Sequence, residues 1–394
     1  MTAQDYKAPE SVSRLQQRAL IAGIIGVAVL LIGLWKSPAD FYRSYLFAFL
    51  FVLGLSLGSL GLLMLQHLTG GHWGILIRRP LESASRVLWL VAVLFIPIVP
   101  GMKYLYMAWL YAPSSGEGAL SKWQQGYLTS HGFIVRAVIY FAVWLLLVTV
   151  FNLWSRKQDI SAGDPALQKR FKTFAGPGII LYVFGMTFAA IDWAMSLSPH
   201  WASTIYGFLY VAGQAISSMS LMIAIIVMLS RTEPFAHVIQ KRHLHDLGKL
   251  LFAFVMLWAY FDFSQLLIIW SGNQPEEISF YRSRLYGEWG AIAVIVLVFH
   301  FFVPFFLLLS RDLKRNPTRL FTIAGWLILM RCVDLYWMTR PEFTQRALPN
   351  LWDFAAVLGL GGVWMWFFAG QLKRQPLLPV GDPKLLEAIK SNEH

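Results

Sequence analysis

SYLFAFLFVLGLSLGSLGLLMLQ, residues 44–66, runs for 23 positions without a charged side chain. As a helix rising about 1.5 Å per residue it spans about 34 Å, enough to cross the roughly 30 Å hydrocarbon layer of a bilayer. Working outward from it, comparable apolar stretches recur at about 18–35, 84–104, 131–154, 175–197, 204–230, 247–271, 286–309, 319–338 and 352–370. The expected fold is an all-α polytopic membrane protein of about ten transmembrane helices, because a lipid-embedded backbone must satisfy its own hydrogen bonds. Composition agrees: of 394 residues 57% are hydrophobic and 14% charged, too few charges to coat a soluble surface of that size. No loop is long enough to fold alone, so residues 1–394 are read as one integral membrane domain.

The net charge of +12 would suggest nucleic acid in a soluble protein, but its placement argues otherwise. If the spans alternate, the side holding both termini carries 23 Lys and Arg, from Lys7, Arg14 and Arg18 through Arg78, Arg79 and Arg86 to Lys384 and Lys390. The opposite side carries 8, and Arg136 and Arg331 fall inside spans. The positive-inside rule then puts both termini in the cytoplasm, and no nucleic-acid partner is expected. The first span lacks a cleavage site after Trp35 and is read as retained. Trp and Tyr gather at predicted span ends, where amphipathic rings suit the headgroup zone.

Cofactors are argued against. The single cysteine, Cys332, rules out an internal disulfide, a thiolate-held iron–sulfur cluster and a CxxCH haem within this chain. His300 is the only histidine well inside a span, whereas a bis-histidine haem needs two. The RHLHD run at 242–246 is a short basic loop with one carboxylate, and no metal is expected there. HLTGGHWG at 67–74 lacks the GK[ST] element of a phosphate loop and reads as a tight turn.

The informative residues are polar groups at membrane depth, each costly unless paired, hydrated or neutralised. They are Asp192 in AAIDWAMSL, Asp262 and Gln265 in WAYFDFSQ, Arg331 and Asp334 three apart on one helical face, His131, Arg136, Gln214, Glu288 and His300. Most lie in the outer half by count of residues, which suggests a wet half-channel for protons. Blander readings stand beside this one. Arg331 with Asp334 reads first as a fixed pair between helices and only second as a relay. Glu288 and Asp353 read equally well as helix-end groups touching water, and His300 as a hydrogen-bonded interior histidine. Asp192 and Asp262 are read as functional, since no basic residue one turn away on the same helix neutralises either.

The strings DWAMSLSPHWASTIYG (192–207), HDLGKLLFAFVMLWAYFDFSQLLIIWSGNQPEE (245–277), PFFLLLSRDLKRNPTRL (304–320) and the extended 44–82 segment ending HLTGGHWGILIRRPLE resemble the NrfD/PsrC-like membrane subunits. Within that family the chain is most similar to the ActF-type subunit of alternative complex III, a bacterial quinol:cytochrome c oxidoreductase. The resemblance covers nearly the whole chain. It implies two four-helix bundles, spans two to five (44–203) and six to nine (204–345), flanked by the N-terminal tail and first helix (1–43) and by the tenth helix and tail (346–394). It implies a non-catalytic or accessory subunit in the bacterial cytoplasmic membrane, coupling quinol oxidation to proton movement. Its implied partners are an ActC-type membrane subunit and the iron–sulfur and cytochrome c subunits, which hold the clusters and c-type haems. Asp192 and Gln265 carry over from the family pattern, while Asp262 departs from it. Two other readings stay open: a passive structural anchor, and direct quinone binding in an outer pocket of His131, Arg136, Asp192 and Trp193.

Overall fold

The computed structural model describes residues 6–113, 115–116, 118–161, 164–382 and 385, and among these every regular element is helical. Lys384 and Lys390, counted in the charge asymmetry, lie outside the described residues. α1 (Glu10–Lys36) gives way to α2 (Pro38–Thr69) through Ser37 alone. Pro38 suits the first helical position because the N–H it lacks would have been unsatisfied there. α2 ends at Gly70 and Gly71, whose φ values of 69° and 88° let the chain turn back.

The next apolar stretch departs from the expected straight span over 84–104. It begins earlier, as α3 (Arg78–Arg86) and α4 (Leu88–Phe95), then bends by 60° into α5 (Ile98–Leu105). Pro97 at the bend and Pro100 beyond it have no N–H to return to the preceding turn, so the helix breaks there. A capped short helix, α6 (Lys122–Tyr127), precedes α7 (Ser130–Ser161) and α8 (Pro165–Trp193).

The second half has α9 (Tyr206–Leu229), α10 (Lys241–Gly272), α11 (Pro275–Leu285), α12 (Gly287–Val296), α13 (Val303–Leu309), α14 (Pro317–Thr339) and α15 (Leu351–Leu372). α12 and α13 are joined by a π-helical segment, Leu297–Phe302, into one apolar rod. Pro304 follows it and cannot donate to the carbonyl of His300, which favours a wider turn at that point. Among the described residues nine helices are long and apolar enough to cross a membrane, in addition to the bent α3–α5 segment.

Two closed rings of helices result. α2, the bent segment, α7 and α8 touch in sequence order, with α8 returning to α2; α9, α10, the α12–α13 rod and α14 do the same, with α14 returning to α9. The first helix of each ring is its most enclosed: 94% of the apolar window of α2 and 78% of that of α9 are buried, because these two also pack on each other. Gly58 permits the approach, since a Cβ there would strike the Gln214 carbonyl and the Ser218 hydroxyl. Outside the rings α1 lies along α15, where Gly23 and Gly26 face Gly362 and Gly359 and bring the backbones together.

Candidate functional site

In the first ring, α8 carries Asp192 near its end and α7 carries Arg136 and Tyr140 one turn apart on the facing side. Asp192 is fully buried. Arg136 grips it with two hydrogen bonds, Nε to Oδ2 at 2.9 Å and Nη2 to Oδ1 at 2.9 Å, and the Tyr140 hydroxyl donates to Oδ2 at 2.7 Å. Arg136 in turn donates through Nη1 to the Tyr127 carbonyl at 3.0 Å and lies 3.8 Å above that ring. Burial, and then the charge of Asp192, pushes the Tyr127 hydroxyl up to about 12. The cation sought on the same helix thus arrives from the neighbouring one. Charge is neutralised by a two-pronged pair, an arrangement that fixes geometry rather than freeing a proton.

Of the four residues read as lining an outer pocket, Arg136 and Asp192 meet directly. Trp193 is fully buried among Phe49, Phe95, Phe141 and Trp144. His131 stands exposed in the first turn of α7.

The second ring is arranged differently. Arg331 and Asp334 on α14 form the expected intrahelical pair, both buried. Gly213 on α9 makes room for the guanidinium, which also lies near the Tyr210 ring. Across the ring on α10, Trp258 sits beside Asp334 and packs edge-on against His300 at 4.3 Å between ring centres. His300 is fully buried in the π-helical segment, and neither ring nitrogen has a hydrogen-bond partner among the described residues. It is therefore not the hydrogen-bonded interior histidine of the bland reading. One turn along α10 from Trp258, Asp262 is half-buried and makes no hydrogen bond or ion pair among the described residues. It lies within electrostatic reach of Asp334 on one side and Tyr281 on the other. Gln265, three residues on, is buried; its amide donates to the Tyr281 hydroxyl at 3.0 Å and its carbonyl accepts from Ser203 at 2.9 Å. Tyr281 belongs to α11 outside the spans, and burial raises its phenol above the ordinary range.

His300, Arg331, Asp334, Asp262 and Gln265 thus share the second ring, while Arg136 and Asp192 belong to the first. Gln214 joins neither cluster. It stands where α2, α8 and α9 meet, accepting from the Tyr182 hydroxyl at 2.7 Å. Glu288 is exposed in the first turn of α12 and accepts the Ala347 amide at 2.8 Å, which ties that helix end to the loop before α15. The one outer path inferred from depth is therefore divided. Counting residues along a helix gives height in the membrane but not position around the bundle, and α2 with α9 separates the groups.

One further cluster is built from arginines that count in the sequence only as loop charge. α3, within RRPLESASR, is buried along its whole length. Glu82 accepts from Arg78 at 3.1 Å, Arg79 at 2.9 Å and Ser155 at 2.6 Å; Arg79 also pairs with Asp159, and Arg78 with Asp382. Arg86 meets only neutral acceptors, among them Asn152 at 2.6 Å and Gln371 at 3.1 Å. The signal was present: Glu82 lies four after Arg78, three after Arg79 and four before Arg86, the spacing of one helical stripe. In the first turn of α15, Asp353 accepts from Ser44 at 2.6 Å, from Arg340 at 3.3 Å and from the Asn350 backbone N–H at 2.8 Å, so it is a buried tie and not a water-facing group.

No protein-family model matches the chain, and no curated protein matches it.

Proposed function

We propose that this chain is a multi-pass membrane subunit of a respiratory quinol-oxidising complex of the alternative complex III type, and that its second ring contributes to proton movement. In this reading the bent α3–α5 segment counts as one crossing, giving ten, with both termini in the cytoplasm. The basic-residue asymmetry and the long shared strings with the NrfD/PsrC-like subunits support it. Iron–sulfur clusters and haems would reside in partner subunits and quinol would be oxidised next to this chain.

The observation that carries the proton role is Asp262. A carboxyl in an apolar ring, held by no cation and no hydrogen bond, is the kind of group that exchanges a proton when its surroundings change. Asp334, Tyr281 and Gln265 supply neighbours through which that change is felt. The test is reconstitution of the whole complex with Asp262→Asn in this chain. Intact assembly and quinol turnover with fewer protons moved per electron supports the reading; an unchanged ratio removes it.

A second reading is favoured by a different observation, the closed pairs Arg136–Asp192 and Arg331–Asp334. Both suit a passive anchor that completes a membrane platform. It predicts that substitutions in these pairs alter the yield of the complex and leave proton stoichiometry alone.

A further inference from the structure

A cavity of about 380 Å³ opens on the terminal side of the first ring, below the end of α2. It is lined by Gln66, His67, Arg78, Gln158, Lys169, Lys172, Asp382 and an apolar wall that includes Leu68 and Phe171. Its polar wall is built, not incidental. Gln66 is 5% exposed and Gln158 2% exposed, yet the Gln66 carbonyl oxygen and the Gln158 amide nitrogen have no hydrogen-bond partner among the described residues. The same holds for His67 Nε2, whose ring is stacked on Phe171 with centres 4.2 Å apart and planes 5° from parallel. Gln158 is held in place because its own carbonyl accepts from Arg78 at 2.6 Å. Buried polar atoms are rarely left unmatched, so three in side chains that line one cavity point to an occupant with both acceptors and a donor that small rotations of those side chains would engage.

Charge narrows the class. Lys169 and Lys172 are exposed at its mouth, while Arg78 in the wall is already paired with Glu82 and Asp382, so the two lysines set the sign. We infer that this cavity is a binding site for a phosphate-bearing anion. Phosphate oxygens would accept from the Gln158 amide, His67 and the two lysines, while a hydroxyl of the ligand donates to the Gln66 carbonyl. Two sources share that chemistry. In an anionic phospholipid such as phosphatidylglycerol, the phosphodiester supplies the acceptors and the headgroup glycerol the donor, with the acyl chains leaving along the apolar wall. In free phosphate the P–OH supplies the donor.

The experiment uses the full chain in detergent, with phosphatidylglycerol or phosphatidylcholine added for native mass spectrometry, and inorganic phosphate against chloride at equal ionic strength for thermal stability. Three variants are compared. Lys169→Ala/Lys172→Ala removes two exposed cations. His67→Phe keeps the stacked ring and removes its nitrogens. Arg311→Ala/Arg319→Ala removes two exposed cations on the second ring as a control. Each charge-assisted hydrogen bond lost should weaken binding about tenfold or more. Retention of phosphatidylglycerol over phosphatidylcholine, lost in the first two variants and kept in the control, assigns the site to the lipid headgroup. Stabilisation by inorganic phosphate with the same pattern assigns it to free phosphate, and both together assign it to the phosphate group itself. No preference in either assay, or equal losses in the control, overturns the inference.

Discussion

The two rings treat their acids differently. Each closes one buried carboxylate with an arginine, Asp192 with Arg136 and Asp334 with Arg331, but the second also holds a half-buried acid, Asp262, with no hydrogen bond or ion pair among the described residues. Closing a buried charge makes it part of the frame, and removing its partner then leaves an uncompensated ion. Leaving it open makes the group cheap to alter structurally and sensitive to its surroundings. Buried acids in a membrane protein therefore cannot be sorted by depth; the partner on the next helix decides.

The largest effect should come from Arg136→Ala. With Asp192 stranded, the folded chain should lose about 3–5 kcal/mol, seen as a large drop in the thermal midpoint of the detergent-purified protein. Little change would erase the contrast between the rings. Gly213→Ala comes next, because its methyl would press on the Arg331 guanidinium. An overpacking cost of about 1–3 kcal/mol is expected, and a wild-type midpoint would show that the Arg331–Asp334 pair is free to shift. Asp262→Asn should change stability by less than about 1 kcal/mol; a cost near that of Arg136→Ala would reveal a hidden partner and make the two carboxylates equivalent. The smallest effect is in alkaline titration of Tyr127. Its folded value of about 12 lies above the ordinary 10, so its contribution to stability is intact below about 10 and fades as pH rises towards about 12. In Asp192→Asn the titration should move part of the way back, since burial, the larger cause, stays.

Much of the frame could be read from residues 44–66 and their repeats, because crossing a bilayer demands long apolar helices whatever their partners. The bend at Pro97 was also written in the chain, yet a window of mean hydropathy passes over it. The intrahelical pair of Arg331 and Asp334 followed from spacing alone. What spacing cannot show is the neighbour across the ring: Arg136 lies 56 residues before Asp192, and nothing local links them. Glu82 was hidden for a different reason. Its three arginines make the segment look like a water-facing loop, when Arg78 and Arg79 are instead spent on Glu82, Asp159 and Asp382 and Arg86 is held by neutral acceptors.

The clasp of α1 against α15 has a bearing on how the molecule is made. Gly23 and Gly26 of α1 meet Gly362 and Gly359 of α15, which is made only after every ring helix between them. Until α15 is made, α1 can pack on α2 while its glycine face stays uncovered by its partner. A chain cut short before residue 351 would keep that face open, an edge for quality-control proteases to recognise.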